Sequence, residues 1–268
     1  MAAHSVRLMS HLVEYVRRFG LVEGVRLYFA TKLLRRGAVA RVRVPGLRAP
    51  VLVRGGSFDR TVFRKIFVSR EYDPPDTLSA LATLIIDGGA NVGYSSIFFA
   101  QQYPGATVIA VEPDEANFAA LRLNAAPYAN IVPVHAALWG SPGHVHLAAE
   151  ASWSGHAEAA HGNATDVRAC TVGELVASAG GGRLSILKLD IEGAESSVFA
   201  ATDLAWLEQT DCLMIELHEW WTPGSSASFE RAVAGRPFAR SRFGENDVLI
   251  RVGSAPAPQH PTQEPESS

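Results

Sequence analysis

Apolar residues recur at helical spacing from Val6 to Leu34: Leu8, Leu12, Val16 and Phe19, then Leu21, Val25 and Tyr28. Two short amphipathic helices fit that period, broken near Gly20. Residues 41–54 alternate instead, with Val42 and Val44 before Pro45-Gly46 and Val51 and Val53 after it, the pattern of a small hairpin. Beyond Asp73-Pro74-Pro75, short apolar runs alternate with helical stretches. Strands are expected at Leu84–Asp87, Thr107–Val111, Ile131–His135, Leu184–Leu189 and Cys212–Leu217, with helices from Asn91, Asp114 and Gly193 and near Ser226. Strand–helix repetition at this interval predicts βαβ units, hence an α/β fold with a mostly parallel sheet and helices on both faces. Two last strands, Phe238–Phe243 and Val248–Val252, are expected as an antiparallel pair at the sheet edge.

The rhythm divides the chain into a helical extension (1–40), a hairpin with a connecting segment (41–75) and an α/β domain (76–253). Residues 148–168, rich in Ala, Gly, Ser and His and carrying Trp153, His156 and His161, interrupt that domain and read as a lid-like insertion. The segment 254–268, with four prolines and no apolar period, reads as a disordered tail.

Composition narrows the class. At 268 residues, 47% hydrophobic and 19% charged, the chain can bury a full core, which excludes wholesale disorder, collagen and coiled coil. Its two cysteines, Cys170 and Cys212, exclude a disulfide scaffold and point to a reducing compartment. No apolar run is long enough to span a membrane, and Arg7, His11 and Glu14 interrupt what would be a signal-peptide core. A cytoplasmic protein is expected. The net charge of -3 hides an asymmetry: residues 1–70 hold 15 Lys/Arg against three acids, and the remainder is strongly acidic. Such a leader suits an anionic surface, nucleic acid or a membrane leaflet, but more commonly folds onto the acidic body. The second arrangement is expected here, with the leader roofing the acceptor pocket.

Candidate chemistry gathers at the carboxyl ends of the strands, where open α/β sheets bind ligands. The segment Asp87-Gly88-Gly89-Ala90-Asn91-Val92-Gly93 follows a buried strand and opens a helix, so backbone N–H groups meet a ligand there. A dinucleotide fingerprint fails, because position 90 is Ala and position 91 is Asn. Asp87 would repel a pyrophosphate and attract an ammonium or sulfonium cation, both of which S-adenosylmethionine carries. At the end of the next strand Glu112 suits the two ribose hydroxyls. Two further blocks, Lys188-Leu189-Asp190-Ile191-Glu192-Gly193-Ala194-Glu195 and Met214-Ile215-Glu216-Leu217-His218, end later strands. Asp190, Glu216 and His218 could supply a general base or bind a divalent cation such as Mg²⁺. Lys188 could instead pair with a neighbouring carboxylate, and His218 could merely cap a strand.

Four separated blocks, residues 85–100, 108–124, 184–195 and 213–219, together with the upstream segment 62–73, resemble the FkbM family of S-adenosylmethionine-dependent methyltransferases. The resemblance covers roughly residues 42–252. It implies a class I methyltransferase fold, a Rossmann-like seven-stranded sheet whose last strand is antiparallel, and O-methylation of a sugar, glycan or secondary metabolite. It also implies that Asp87, Gly89, Asn91 and Gly93, with Gly88, Ala90 and Tyr94 of the same loop, line the methionine end of the cofactor. Glu112 would hold the ribose, Pro113 and Asn117 would shape the adenosine side, and Asp190 would stand near the transferred methyl. Segment 135–140 lacks the polar residue that often meets the adenine.

Two rivals stand beside this reading. An N-methyltransferase on nucleic acid would need an aromatic residue after Asp73-Pro74-Pro75, and position 76 is Asp. A cofactor-binding module without catalysis would have no need for charge at the crevice. The acceptor's identity, the oligomeric state, and whether the basic leader touches a membrane are not written in the sequence.

Overall fold

The computed structural model describes residues 2–73, 82–147, 165–219 and 222–253, and side chains within these except those of 2–9, 147 and 165. The chain opens with α1 (Ala2–Phe19) and α2 (Leu21–Lys32), separated at Gly20 as the periodicity predicts. Gly24 lets the two helices touch, since a Cβ there would lie 2.6 Å from the Tyr15 carbonyl oxygen. A hairpin follows, β1 (Val39–Val42) paired antiparallel with β2 (Val51–Arg54). Next come α3 (Asp59–Phe63) and a π-helical turn, Arg64–Val68. The expected turn at Pro74-Pro75 lies outside the described residues.

Seven strands form the central sheet. In chain order they are β3 (Leu84–Gly88), β4 (Thr107–Glu112), β5 (Ile131–His135), β9 (Leu184–Leu189), β10 (Thr210–Ile215), β11 (Phe238–Phe243) and β12 (Asn246–Arg251), set side by side as β11-β12-β10-β9-β3-β4-β5. The five from β5 to β10 run parallel, while β12 is antiparallel to both β10 and β11. This is the class I methyltransferase topology, Rossmann-like with an antiparallel last strand. The helices α4 (Tyr94–Gln102), α5 (Glu115–Ala125), α6 (Val172–Ser178), α7 (Glu195–Phe199), α8 (Ala205–Glu208) and α9 (Ser225–Val233) cover it. Asp114 caps α5 as a side-chain acceptor for the Asn117 N–H. Thr171 and Glu174 close a capping box on α6, a T-x-x-E signal legible in the sequence.

Strand alternation sorts the core into two layers. Ile85, Val108, Ile186 and Met214 face one layer; Ile86, Ile109, Leu187 and Leu213 face the other. The first layer also takes Tyr15, Leu27, Tyr28, Phe63 and Tyr94. Tyr15 stacks on Phe63 at 6.3 Å, and Phe63 meets Tyr94 edge-on at 5.9 Å. The basic leader is therefore packed on the sheet layer rather than held apart. Leu27 is fully buried there. Leu27→Ala should destabilise the whole fold by about 2–5 kcal/mol, the cost of a buried leucine truncated to a cavity, in a single urea transition. A separate early transition of the helix pair would contradict this packing.

The sequence missed a second sheet, in which β8 (Thr165–Cys170) pairs parallel with β6 (Ala137–Leu138) and antiparallel with β7 (Gly143–Leu147). The expected insertion at 148–168 is thus corrected at its end. Residues 165–168 are strand, with Val167 buried between exposed Asp166 and Arg168. The rest of that insertion and the expected disordered tail from Ser254 lie outside the described residues. Among the described residues, no helix is long and apolar enough to cross a membrane.

Candidate active site

The loop between β3 and α4 is held from below. Asp87 is 0% exposed and stands in register with Lys188 of the adjacent strand. Its Oδ1 lies 3.2 Å from the Lys188 ammonium, and its Oδ2 accepts hydrogen bonds from Ser95 and Ser96, each 2.6 Å. The ammonium also donates to the carbonyls of Gly88 and Gly89, at 3.1 and 2.8 Å. Asp87 therefore acts as an anchor of the loop, and Lys188 compensates the charge that the sequence reading offered to a cationic ligand. This bears out the pairing anticipated for Lys188.

Above the anchor the loop approaches its neighbour closely. Gly89, with φ +71°, has no room for a side chain, because a Cβ would sit 1.8 Å from the Asp190 carbonyl oxygen. Asn91 adopts the left-handed region at φ 51°, and Gly93 caps α4 at φ 86°. Gly88 and Ala90 are buried. Tyr94 points elsewhere than the sequence reading has it: its ring is buried in the core and its hydroxyl donates to the Leu52 carbonyl at 2.6 Å. Because α4 turns that first residue toward the hairpin, the Tyr94 side chain supports the loop from the core.

Glu112 ends β4 and reaches back across the loop. Its Oε2 accepts from the Asn91 N–H at 2.8 Å and its Oε1 from the Asp114 N–H at 3.0 Å. Burial pushes its carboxyl up to about 7, against the opposing pull of those two backbone donors. Asn117, assigned to the adenosine side, has its amide nitrogen 3.5 Å from Glu112 Oε1, while its oxygen accepts from Arg54 at 2.7 Å. Arg54 is itself gripped by Asp59 at 2.8 Å, so the hairpin braces this corner. The Pro113 carbonyl lies 3.0 Å from His135 Nε2, and His135 stacks on Phe118 at 4.7 Å.

A third group surrounds the segments after β9 and β10. Asp190, Glu216 and His218 come together, although Glu216 and His218 lie just past the end of β10 rather than within it. His218 Nε2 faces Glu192 Oε2 at 3.4 Å, Glu216 Oε1 at 3.7 Å and Asp190 Oδ1 at 3.8 Å. Its Nδ1 is bonded to Glu195 Oε1 at 2.9 Å. Burial opposes charge on the imidazole, but the Glu195 bond and the ring of carboxylates outweigh it and raise His218 to about 9. Burial and the nearby Asp190 charge lift Glu192 and Glu216 to about 7. Near neutral pH this histidine is the cation of the cluster, and the proton acceptors are carboxylates. That revises the reading of His218 as a base.

Several members of this cluster lie in blocks that the sequence reading quotes but does not single out as site residues. Glu192 sits in the left-handed region at φ 53°. Glu195, fully buried at the start of α7, accepts from the N–H groups of Ile191 and Gly193 at 3.2 and 2.8 Å. Lys65, from the π-helical turn, stands 3.5 Å from Glu216 and 2.6 Å from Glu245, while the Tyr72 hydroxyl lies 3.4 Å from Asp190 Oδ2. Asp73 is paired with Arg70 through hydrogen bonds of 2.6 Å, the behaviour of a turn residue.

The chain matches the family model described as the methyltransferase FkbM domain over residues 87–234. Among solved structures it is similar to a methyltransferase FkbM from Methylobacillus flagellatus KT, 14% identical with a TM-score of 0.46, across 92% of this chain and 60% of that one. It thus spans about 60% of the length of that relative. Aeropyrum pernix fibrillarin with natively bound S-adenosyl-L-methionine is 10% identical with a TM-score of 0.37, covering 66% of this chain and 68% of that one. M. capricolum TrmK in complex with S-adenosyl-homocysteine is 11% identical with a TM-score of 0.34, covering 63% and 61%. No curated protein matches the chain.

Proposed function

The chain belongs to the FkbM methyltransferase family, and we propose that it transfers the methyl group of S-adenosylmethionine to a hydroxyl oxygen of a sugar, glycan or secondary metabolite. One observation carries this reading. The glycine loop and the carboxylate–histidine cluster touch through Gly89 and Asp190, whose N–H also donates to the Gly88 carbonyl at 3.2 Å. A cofactor on the loop and an acceptor at the cluster would therefore meet.

The residues present fit that cofactor. Glu112 is pinned by backbone N–H groups with its carboxylate beside the loop, as two adjacent hydroxyls require, and Gly89 and Asn91 hold the backbone against the ligand. Bound there, S-adenosylmethionine supplies an electrophilic methyl carbon on a sulfonium. An acceptor hydroxyl is a poor nucleophile at neutral pH, so its proton must leave as its oxygen forms the new carbon bond and the carbon–sulfur bond breaks. Asp190 takes that proton, with Glu216, whose carboxyl is lifted to about 7 by burial and the nearby Asp190 charge, beside it, and the His218 imidazolium holds them in place. Cys170 and Cys212 are both free and buried, in keeping with a cytoplasmic enzyme. Position 76 is Asp rather than a base-stacking aromatic, and Asp73 is paired with Arg70, so that turn lends no support to a nucleic-acid amine as acceptor.

Glu112→Gln tests the cofactor half. It should weaken S-adenosylmethionine binding by about 1.5–3 kcal/mol, the value of a hydrogen bond to a charged group, read by calorimetry. Since burial pushes the wild-type carboxyl up to about 7, affinity should fall as pH drops below 7 and should do so far less in the variant. Without cofactor the sign reverses. A raised carboxyl contributes stability that is complete below its ordinary 4.5 and lost as pH rises through 7. The acceptor half is tested by S-adenosylhomocysteine release with hydroxyl-bearing glycan and metabolite fractions, followed by mass spectrometry of the product. A methyl found on nitrogen would overturn the O-methyl assignment.

A further inference from the structure

We propose that Asp190, Glu192, Glu216 and His218 form a binding site for one divalent transition-metal cation, with Mn²⁺ the best match to the donor set. The inference deepens the function proposed above, since such a cation would act on the acceptor hydroxyl in the same crevice.

Geometry comes first. One donor atom each from Asp190, Glu192 and His218 lie within 4.8 Å of one another. Ligands about 2.1 Å from an octahedral cation stand roughly 3–4 Å apart, and the three carboxylate oxygens lie 3.4, 3.7 and 3.8 Å from His218 Nε2. That ring nitrogen, on a side chain only 5% exposed, points into the ring of acids at ion-pair distances, where a cation could take the place of its proton.

The far side of the ring is the second and independent observation. Glu195, 0% exposed, bonds Nδ1 at 2.9 Å and takes the N–H groups of Ile191 and Gly193 with its two oxygens. A buried carboxylate on one imidazole nitrogen fixes the ring so that the other, once a cation displaces its proton, presents a lone pair, which is how metal-bound histidines are held. The same carboxylate ties down the segment that carries Glu192, whose left-handed backbone at φ 53° is a conformation non-glycine residues adopt at a cost.

Charge points the same way. Asp190, Glu192, Glu195 and Glu216 gather around one imidazole, so acidic groups outnumber the single ring that could balance them. Lys65 serves the outer side, 2.6 Å from Glu245 and 3.5 Å from Glu216 Oε2, and so leaves Glu216 Oε1 facing inward. One nitrogen with several carboxylate oxygens suits Mn²⁺ better than the Mg²⁺ expected from sequence, because imidazole favours transition metals and Mg²⁺ favours an all-oxygen shell. Held there, the cation would coordinate the acceptor oxygen and lower the pKa of its hydroxyl.

The test uses the full chain, stripped with chelator and titrated with Mn²⁺ alone, with free Mn²⁺ followed by its electron paramagnetic resonance signal. One Mn²⁺ per chain is expected. Glu192→Gln and His218→Gln should each weaken binding by tenfold or more, and Glu195→Gln by roughly 10–100-fold through loss of the ring's orientation. Glu208→Gln, at a remote surface pair with Arg236, should change nothing. Glu192 is partly exposed, so its variant should keep the wild-type melting profile and decides the matter if His218→Gln does not fold. Absence of saturable binding, or binding that Glu192→Gln leaves intact, overturns the site. Methyl transfer that persists undiminished in excess chelator overturns the cation and leaves the functional reading standing. Saturable Mn²⁺ binding that Glu192→Gln abolishes, in a protein that releases no S-adenosylhomocysteine with any hydroxyl acceptor, supports the site and removes that reading instead.

Discussion

Asp190→Asn is expected to lower methyl-transfer turnover by roughly 10²–10⁴-fold, the range for removing a positioned acid–base group, with S-adenosylmethionine affinity nearly unchanged. The variant separates two jobs that this residue holds. Its main chain is part of the scaffold: the carbonyl packs against Gly89 and the N–H donates to the Gly88 carbonyl at 3.2 Å. Its side chain is half-buried and faces the cluster, 3.8 Å from His218 Nε2 and 3.4 Å from the Tyr72 hydroxyl. Asparagine keeps the shape and the backbone contacts but cannot take a proton or carry charge. A fall in the maximal rate of S-adenosylhomocysteine release, beside equal calorimetric affinity for S-adenosylmethionine, is the expected pair of results. A rate that survives in Asp190→Asn would mean that the carboxylate serves only the fold.

Lys188→Met should destabilise the protein by about 3–5 kcal/mol, the cost of leaving a buried charge without its partner. Lys188 is 2% exposed and Asp87 0%. Without the ammonium, Asp87 Oδ1 has no compensating charge, and the carbonyls of Gly88 and Gly89 lose their donor. Ser95 and Ser96 would still hold Oδ2. Domains of this kind are stable by only about 5–15 kcal/mol, so the variant should lose much of its soluble yield as well as its urea midpoint. The double variant Lys188→Met/Asp87→Asn should recover a large part of the loss, because the orphaned charge is gone. A single variant within about 1 kcal/mol of wild type would show that the pair is not what fixes the loop.

Much of the architecture was legible because it is written in near neighbours along the chain. The alternation of Leu84, Ile85 and Ile86 between the two core layers, the break at Gly20 and the acid Asp114 before α5 are properties of a few consecutive residues. Strand spacing and motif order then sufficed for a parallel sheet with an antiparallel pair at its edge, and for bringing the glycine loop, Glu112 and Asp190 to the carboxyl ends of the strands, while the antiparallel last strand followed from the family resemblance. The second sheet was missed although Val167 and Ala169 alternate with exposed neighbours; the small-residue composition before them masked a period only a few residues long. What the tertiary structure alone decided is which side chains meet. Asp87 pairs with a lysine about a hundred positions away, Glu195 at the start of α7 orients His218 of the segment after β10, and Lys65 reaches Glu216 from the segment that precedes the sheet. Tyr94, next to the loop in sequence, turns into the core, whereas Glu192 is aimed at the cluster by a left-handed backbone. Periodicity reports which face a residue takes within its own element. The order of strands in the sheet and the conformation of the loops between them decide which charges share a low-dielectric space, and that is where this site acquires its chemistry.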